Sequence, residues 1–187
     1  MIEDKQRWNE RYQESPMPDH VTSIVEKYIE HANIGQAIDL ACGTGRNTHF
    51  LAEKGFDVDA VDISDYALEL VKKSPTINKI DTDLDKYNIT PKKYDLIVNV
   101  NYLNRRLISQ MKDALKPGGV IIFETFLVAH GDFKLPTMNL DYLLRKNELL
   151  HYFIGLDVIY YEERIETNLK GERVKVASIV AKKELAL

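Results

Sequence analysis

The spacing of apolar residues switches between helical and strand-like along the chain. Residues 4–14 are mostly charged, with Trp8 and Tyr12 four apart, and predict a short helix. It should stop before Ser15-Pro16-Met17-Pro18, because proline drives the preceding residue out of the helical region. Val21, Ile24, Val25, Tyr28 and Ile29 then recur at i, i+3, i+4, i+7 and i+8, one buried stripe of an amphipathic helix. After Gly35, short apolar runs alternate with helical stretches. Residues 37–41 read as a buried strand closed by Cys42-Gly43-Thr44-Gly45, and 46–54 as a helix stopped at Gly55. Residues 56–62 form a second strand, and Ser64 caps a helix whose face carries Ala67, Leu70 and Val71. A weak third strand is expected at 77–82 and a strong fourth at 94–100. Leu107, Ile108, Met111, Ala114 and Leu115 make a further helical stripe. Lys116-Pro117-Gly118-Gly119 should end that helix and turn into a fifth strand at 120–126.

Strands alternating with helices imply a parallel sheet covered on both faces. The tail differs. Residues 139–150 read as a helix, and 156–165 and 174–181 as strands joined through Asn168-Leu169-Lys170-Gly171. That connection is too short for a parallel crossover, so these two strands should pair antiparallel. The expected class is α/β: a seven-stranded, mostly parallel sheet with a C-terminal antiparallel hairpin and helices on both faces.

The chain has 187 residues, 44% hydrophobic and 29% charged, which suits one domain with a proper core. A net charge of −4 offers no long-range attraction to phosphate backbones, so nucleic acid is a poor expectation as partner. A lone Cys42 excludes an internal disulfide and a tetracysteine zinc site, and the five scattered histidines predict no metal. The first ten residues are charged and lack the apolar stretch of a leader, and no apolar run approaches the roughly 18–20 residues of a membrane span. A soluble, reducing, cytoplasmic setting is expected.

The chemistry concentrates after the first and second strands. In Asp39-Leu40-Ala41-Cys42-Gly43-Thr44-Gly45, small residues allow close backbone approach to a ligand, and the amides opening the next helix can bind polar groups. A glycine turn that is purely structural has the same appearance. Asp62 closes the second strand at about the 20-residue spacing at which a carboxylate reaches ribose hydroxyls. A helix cap shared with Ser64 accounts for it equally well. Together, the two features favour an adenosine-containing cofactor at the carboxyl ends of the strands. The third glycine of a dinucleotide fingerprint is replaced by Thr48, which weakens a nicotinamide or flavin reading.

These residues resemble the class I S-adenosylmethionine-dependent methyltransferases. The similarity covers 37–126: AIDLACGTGRNT resembles the first motif, VDIS the end of the second strand, DTDL the adenine-side motif, and YDLIVNVNYL with LKPGGVIIFETF the fourth and fifth strands. Length, RWNERY and the closing ASIVAKK look most like the small tellurite-resistance-type branch. The resemblance implies a Rossmann-like single domain over 1–187, with 1–32 a helical cover, 36–126 the cofactor-binding core and 127–187 the C-terminal helix and hairpin. It implies S-adenosyl-L-methionine as cofactor and S-adenosyl-L-homocysteine as product. Asp39, Cys42, Gly43 and Gly45 would line the methionine and ribose side, Asp62 would hold the ribose, and Ile63 would lie on the adenine. Asp83, with the Leu84 backbone, would meet the adenine amino group, and Asn99 would meet the methionine moiety or the acceptor. From the cover, Arg11 would pair with the methionine carboxylate and Tyr12 would lie near the sulfonium; plain packing of Trp8 and Tyr12 on the sheet is the alternative.

No catalytic residue stands out. Asn101, Tyr102, Arg105, Arg106 and His130 lie in loops after the fourth and fifth strands. Arg105 and Arg106 can attract an anionic acceptor or can simply form a solvated helical turn. Without an NPPY motif or a large insertion, a small-molecule acceptor is expected rather than a nucleobase. A non-catalytic cofactor-binding or partner-activating module on the same fold is the alternative.

Overall fold

Runs of apolar residues too short for a helix and apolar on both alternating faces belong in a sheet buried on both sides. In a computed structural model of the chain, describing residues 2–15, 17–129, 131, 133–135, 139–168 and 171–185, they take that place. Helix α1 (Ile2–Glu14) and helix α2 (Ser23–Tyr28) precede strand β1 (Gln36–Leu40). Then follow α3 (Arg46–Glu53), β2 (Asp57–Asp62), α4 (Asp65–Leu70), β3 (Ile77–Asp81), β4 (Tyr94–Val100), α5 (Arg105–Ala114) and β5 (Leu115–Phe126). The chain closes with α6 (Glu148–Tyr152), β6 (Asp157–Thr167) and β7 (Arg173–Lys182).

The sheet order is β3-β2-β1-β4-β5-β7-β6. The first five strands are parallel, and β7 is antiparallel to both β5 and β6. One face of β4 and β5 (Leu96, Val98, Val120, Ile122) packs with Ile24 and Val25 of α2 and Leu51 of α3. The other face (Ile97, Ile121, Phe123) packs with Leu107, Ile108 and Met111 of α5 and with Leu149 and Phe153. This layering is the Rossmann-like arrangement expected from the sequence.

Three local expectations change, the first in α4, where Leu70 is exposed and Leu68 takes its place beside Val71 in the core. The Lys116–Gly119 segment is a bulge inside β5, not a turn before it: Tyr94 pairs with Leu115, the register shifts, and Leu96 pairs with Val120. The antiparallel neighbour explains this, since Gly118 N donates to Lys183 O and Lys183 N to Gly119 O. The helix expected at 139–150 is broken into a 3-10 turn (Leu140–Tyr142) and α6. Between them, Leu144 N donates to Phe126 O and Val128 N to Leu144 O, so the backbone is drawn out as an extra bridge beside β5. Leu143 and Leu144 are buried; their spacing reads as helical only because both must face the core.

A Cβ on Gly119 would sit 2.9 Å from the Tyr94 carbonyl oxygen and 3.0 Å from that of Lys116, both backbone atoms. Gly119→Ala should therefore lower stability by about 1–3 kcal/mol in urea denaturation followed by circular dichroism. A variant as stable as the parent would show that the bulge relaxes freely.

Candidate functional site

β1 and β4 are neighbours, yet the chain leaves β1 toward β2 and leaves β4 toward β5. Such a switch point opens a crevice at the carboxyl ends of the strands. The backbone there is unusual. Ala41, directly after β1, and Asn101, directly after β4, have φ of 55° and 60°. Asparagine adopts this left-handed region readily; alanine does so at a cost of about 1 kcal/mol or more. Gly43 and Gly45 follow at 56° and 85°, so the chain turns back toward α3 within five residues of β1.

The two acids singled out from the sequence hold this turn. Asp62, 4% exposed, accepts Gly43 N on Oδ2 and Ser64 N on Oδ1, both at 2.8 Å. It thereby ties the end of β2 to the turn after β1 and to the start of α4. Asp39, 2% exposed, accepts Thr48 Oγ1 at 2.7 Å and so joins β1 to the first turn of α3. Gly45, at the α3 N-terminus, has no side chain to do this. Burial pushes the Asp39 carboxyl up to about 7 against the opposing pull of Thr48 and Arg46. Burial also raises Asp62, countered by its backbone amides. Cys42 is buried, and burial drives its thiol well above the ordinary value, so it fills a small space as a neutral group.

The remaining sequence candidates divide. Tyr12 comes into the crevice: its Oη would lie 2.8 Å from a Cβ built on Gly43, and its phenol is raised by burial and by Asp62. It is brought there by α1, which is held on the end of β3 through Lys5 with Asp81 (2.6 Å) and on the start of α4 through Lys5 with Asp65 (3.0 Å) and Asn9 with Ser64 (2.6 Å). Arg11 stays outside, exposed and stacked 5.3 Å from the Trp8 ring centroid. Ile63 is half-buried between Asp62 and Ser64. Asp83, also half-buried, accepts Asp85 N at 3.0 Å, and Leu84 points into the α5 layer. Asn99 is 0% exposed; its Nδ2 donates to Tyr102 O at 2.7 Å, while Oδ1 has no partner among the described residues.

Arg105 is half-buried and Arg106 exposed in the first turn of α5, and both are engaged with other segments of the chain. Arg105 grips Glu148 at 2.6 Å and the carbonyls of Asp141 and Leu143, pinning the 139–150 segment to α5. Arg106 donates to the carbonyls of Leu84 (2.7 Å) and Tyr87, holding the loop that carries Asp83 and Leu84. Tyr102 is raised to about 12 by burial and is no base at neutral pH. His130 lies outside the described residues.

Sequence reasoning passed over two groups. Arg46 opens α3, half-buried, facing Asp39, Glu124 and Tyr12. Glu124, 8% exposed near the carboxyl end of β5, accepts Arg164 Nη2 at 2.7 Å and Ser178 Oγ on Oε2. A charge inside the apolar run Val120-Ile121-Ile122-Phe123-Glu124-Thr125-Phe126 was the available signal for it.

Over residues 1–180 the sequence matches the family described as tellurite resistance protein TehB. The chain belongs to that family. A Haemophilus influenzae relative named "Probable S-adenosyl-L-methionine-dependent methyltransferase TehB" is 25% identical over 167 residues, 80% of this chain and 57% of the relative. The crystal structure of TehB from Haemophilus influenzae has a TM-score of 0.77 at 22% identity, covering 95% of this chain and 67% of that one. A Haemonchus contortus phosphoethanolamine N-methyltransferase solved with S-adenosylhomocysteine has a TM-score of 0.67 at 16% identity, over 87% of this chain and 51% of that one. The chain spans about half the length of the curated relatives it matches. In this TehB-family chain no helix among the described residues is long and apolar enough to cross a membrane.

The folded chain keeps the Asp39 proton up to about pH 7, whereas an unfolded aspartate releases it near 3.8. Where the folded state binds more protons, stability falls as pH rises, so this group removes stability between those two values. Asp62 acts in the same direction. Urea midpoints from pH 4 to 7 should fall less steeply for Asp39→Asn than for the parent; superimposable pH profiles would show that Asp39 ionises without penalty.

Proposed function

We propose that this chain is an S-adenosyl-L-methionine-dependent methyltransferase that moves the methyl group in line to a small-molecule acceptor. The observation that carries the reading is Asn99 Oδ1. It is a fully buried acceptor with no partner among the described residues, at the end of β4 beside the switch point. Leaving such an atom unsatisfied costs about 1–3 kcal/mol, and a ligand donor removes that cost. The glycine turn supplies the second support. Its positive φ values call for glycine, and the Tyr12 ring packs on Gly43 in the space a Cβ would fill, which on this reading makes that ring a wall of the cofactor site. The family match and the methyltransferase names of relatives point the same way.

The residues fit such a cofactor. On this reading Asp62, already fixed by two amides, has lone pairs left for ribose hydroxyls. Ile63 flanks the adenine, and Asp83 with the Leu84 backbone meets its amino group, in a loop that Arg106 keeps in place. Cys42, Gly43 and Gly45 give room for the methionine and ribose side; Asp39 holds the turn from below through Thr48. Asn99 accepts from the tail or the acceptor. Residues 1–32 cover the site through Tyr12, 36–126 bind, and 127–187 complete the acceptor side. When bound, S-adenosylmethionine supplies a methyl group on a cationic sulfur and a neutral thioether leaving group. The protein's part is to align the acceptor and exclude water, worth roughly 7–11 kcal/mol of barrier.

Cys42 and Tyr102 are both held protonated by burial, so neither serves as a base near neutral pH. That favours an acceptor arriving as a soft anion, which needs no deprotonation. Tellurite and selenite, anions at neutral pH, form the first panel to assay for S-adenosylhomocysteine release, with small thiols, mostly protonated there, as the comparison. Tight cofactor binding with no turnover on any acceptor would favour a non-catalytic, partner-activating module.

Calorimetry should show S-adenosylmethionine binding and no binding of NAD. Asp62→Ala should weaken cofactor affinity by about tenfold or more, since it removes both the ribose acceptor and the fixed turn. Unchanged affinity would remove Asp62 from the site. Arg106→Ala should weaken affinity by about two- to fivefold, through the loosened 84–88 loop, with its largest effect on adenine-containing ligands.

A further inference from the structure

One face of α1 reads across three strand ends. Lys5, Asn9 and Tyr12 recur at i, i+4 and i+7, so they share that face. Lys5 Nζ meets Asp81, the last residue of β3, at 2.6 Å. Asn9 Nδ2 donates to Asp65 Oδ1 at 2.7 Å, and Asn9 Oδ1 accepts Ser64 Oγ at 2.6 Å, both just after β2. Tyr12 packs on Gly43, in the turn after β1. These three strands are consecutive in the sheet. Neighbouring strands stand about 4.8 Å apart, and seven helical residues rise about 10 Å. The face of α1 therefore steps from strand end to strand end in register with the sheet.

The face that docks is polar. Burial of Ile24 and Val25 fixes α2, and burial of Leu107, Ile108 and Met111 fixes α5. Among the described side chains of α1 none is buried. A helix of 13 residues is marginal by itself in water. Lys5 Nζ is shared between Asp81 and Asp65, the second at 3.0 Å. The Lys5, Asp65 and Asp81 side chains keep 32%, 51% and 47% of their surface in solvent. Ion pairs this exposed are weak, and salt screens them.

We propose that α1 is a releasable strap over the crevice, latched by Lys5 on Asp65 and Asp81, and that ligand enters and leaves when this latch lets go. The role as a gate rests on the methyl-donor reading above. Lifting α1 takes Tyr12 off Gly43 and leaves two neighbouring carboxylates without the ammonium they share. The closed state is therefore favoured at low ionic strength and loses that advantage as salt rises. Lys5 touches no ligand; it sets how often the crevice opens.

The test uses the full chain and Trp8, its one tryptophan, which lies on α1 with its ring centroid 5.9 Å from that of Tyr12. Raising sodium chloride from about 0.1 to about 1 M cuts the screening length from about 10 to about 3 Å. In the ligand-free parent this should lower the anisotropy of Trp8 fluorescence. In stopped flow it should speed both binding and release of S-adenosylhomocysteine by about threefold or more. Lys5→Met keeps the stem and removes the charge; it should show low anisotropy and fast exchange at both salt concentrations. Asp81→Asn should move part of the way. Both positions are partly exposed, so urea midpoints should stay close to the parent's. A gate speeds entry and exit together, whereas a contact that merely stabilises the bound state slows exit alone. Release quickened without faster binding in Lys5→Met, or Trp8 anisotropy and exchange rates indifferent to salt in the parent, overturns the strap while the methyl-donor reading stands. If the parent binds no S-adenosylhomocysteine, that reading fails and the gate falls with it.

Discussion

The Asp62 carboxylate is where three pieces of chain meet. It closes β2, receives the Gly43 amide from the turn after β1, and receives the Ser64 amide that begins α4. Both carboxylate oxygens are engaged in charge-assisted bonds inside a site that excludes water, where such bonds are strongest. Everything at the crevice is measured from this point. The turn is held from beneath at Gly43 while Tyr12 of α1 packs on it from above, and α1 docks on α4 because Ser64 is presented to Asn9. Asp39 repeats the device one strand along, tying β1 to α3 through Thr48.

These two acids show how a binding residue and a structural residue become the same residue. A carboxylate that caps backbone amides is pre-oriented, so little conformational freedom is lost when a hydroxyl joins it. The strained Ala41 and the left-handed Asn101 belong to the same economy: both sit at the ends of the two central strands, where unusual φ values accompany functional sites. The opposite arrangement holds for Asn99 Oδ1, a buried acceptor without a partner among the described residues. Satisfied acids build the crevice, and the unsatisfied acceptor lies at its edge.

The C-terminal hairpin is more than an edge cover. By inserting β7 between β5 and β6 it brings Ser178 and Arg164 against Glu124, and it draws the Gly118–Gly119 bulge into the sheet. Arg105 does similar work on the other face by stapling the 139–150 segment to α5. The arginines that looked free at a helix start are therefore structural ties between parts of the fold.

Local pattern was enough for the strand–helix alternation, the glycine turn, the Asp39 and Asp62 pair and the antiparallel tail, because each depends on neighbours within a turn or a strand. Leu143 and Leu144 misled it, since burial of consecutive residues has the same signature in a helix as in an extended bridge. Partnership was beyond it. Arg11, Arg46, Arg105 and Arg106 are equivalent as letters; only the folded chain ties Arg105 to the 139–150 segment and Arg106 to the 84–88 loop, leaves Arg11 on Trp8 of its own helix, and half-buries Arg46 at the start of α3. The amino-acid sequence by itself determined the periods, the turns and the acids that hold them. Tertiary structure decided which charges are satisfied, because a side chain's partner comes from strands and loops far away along the chain.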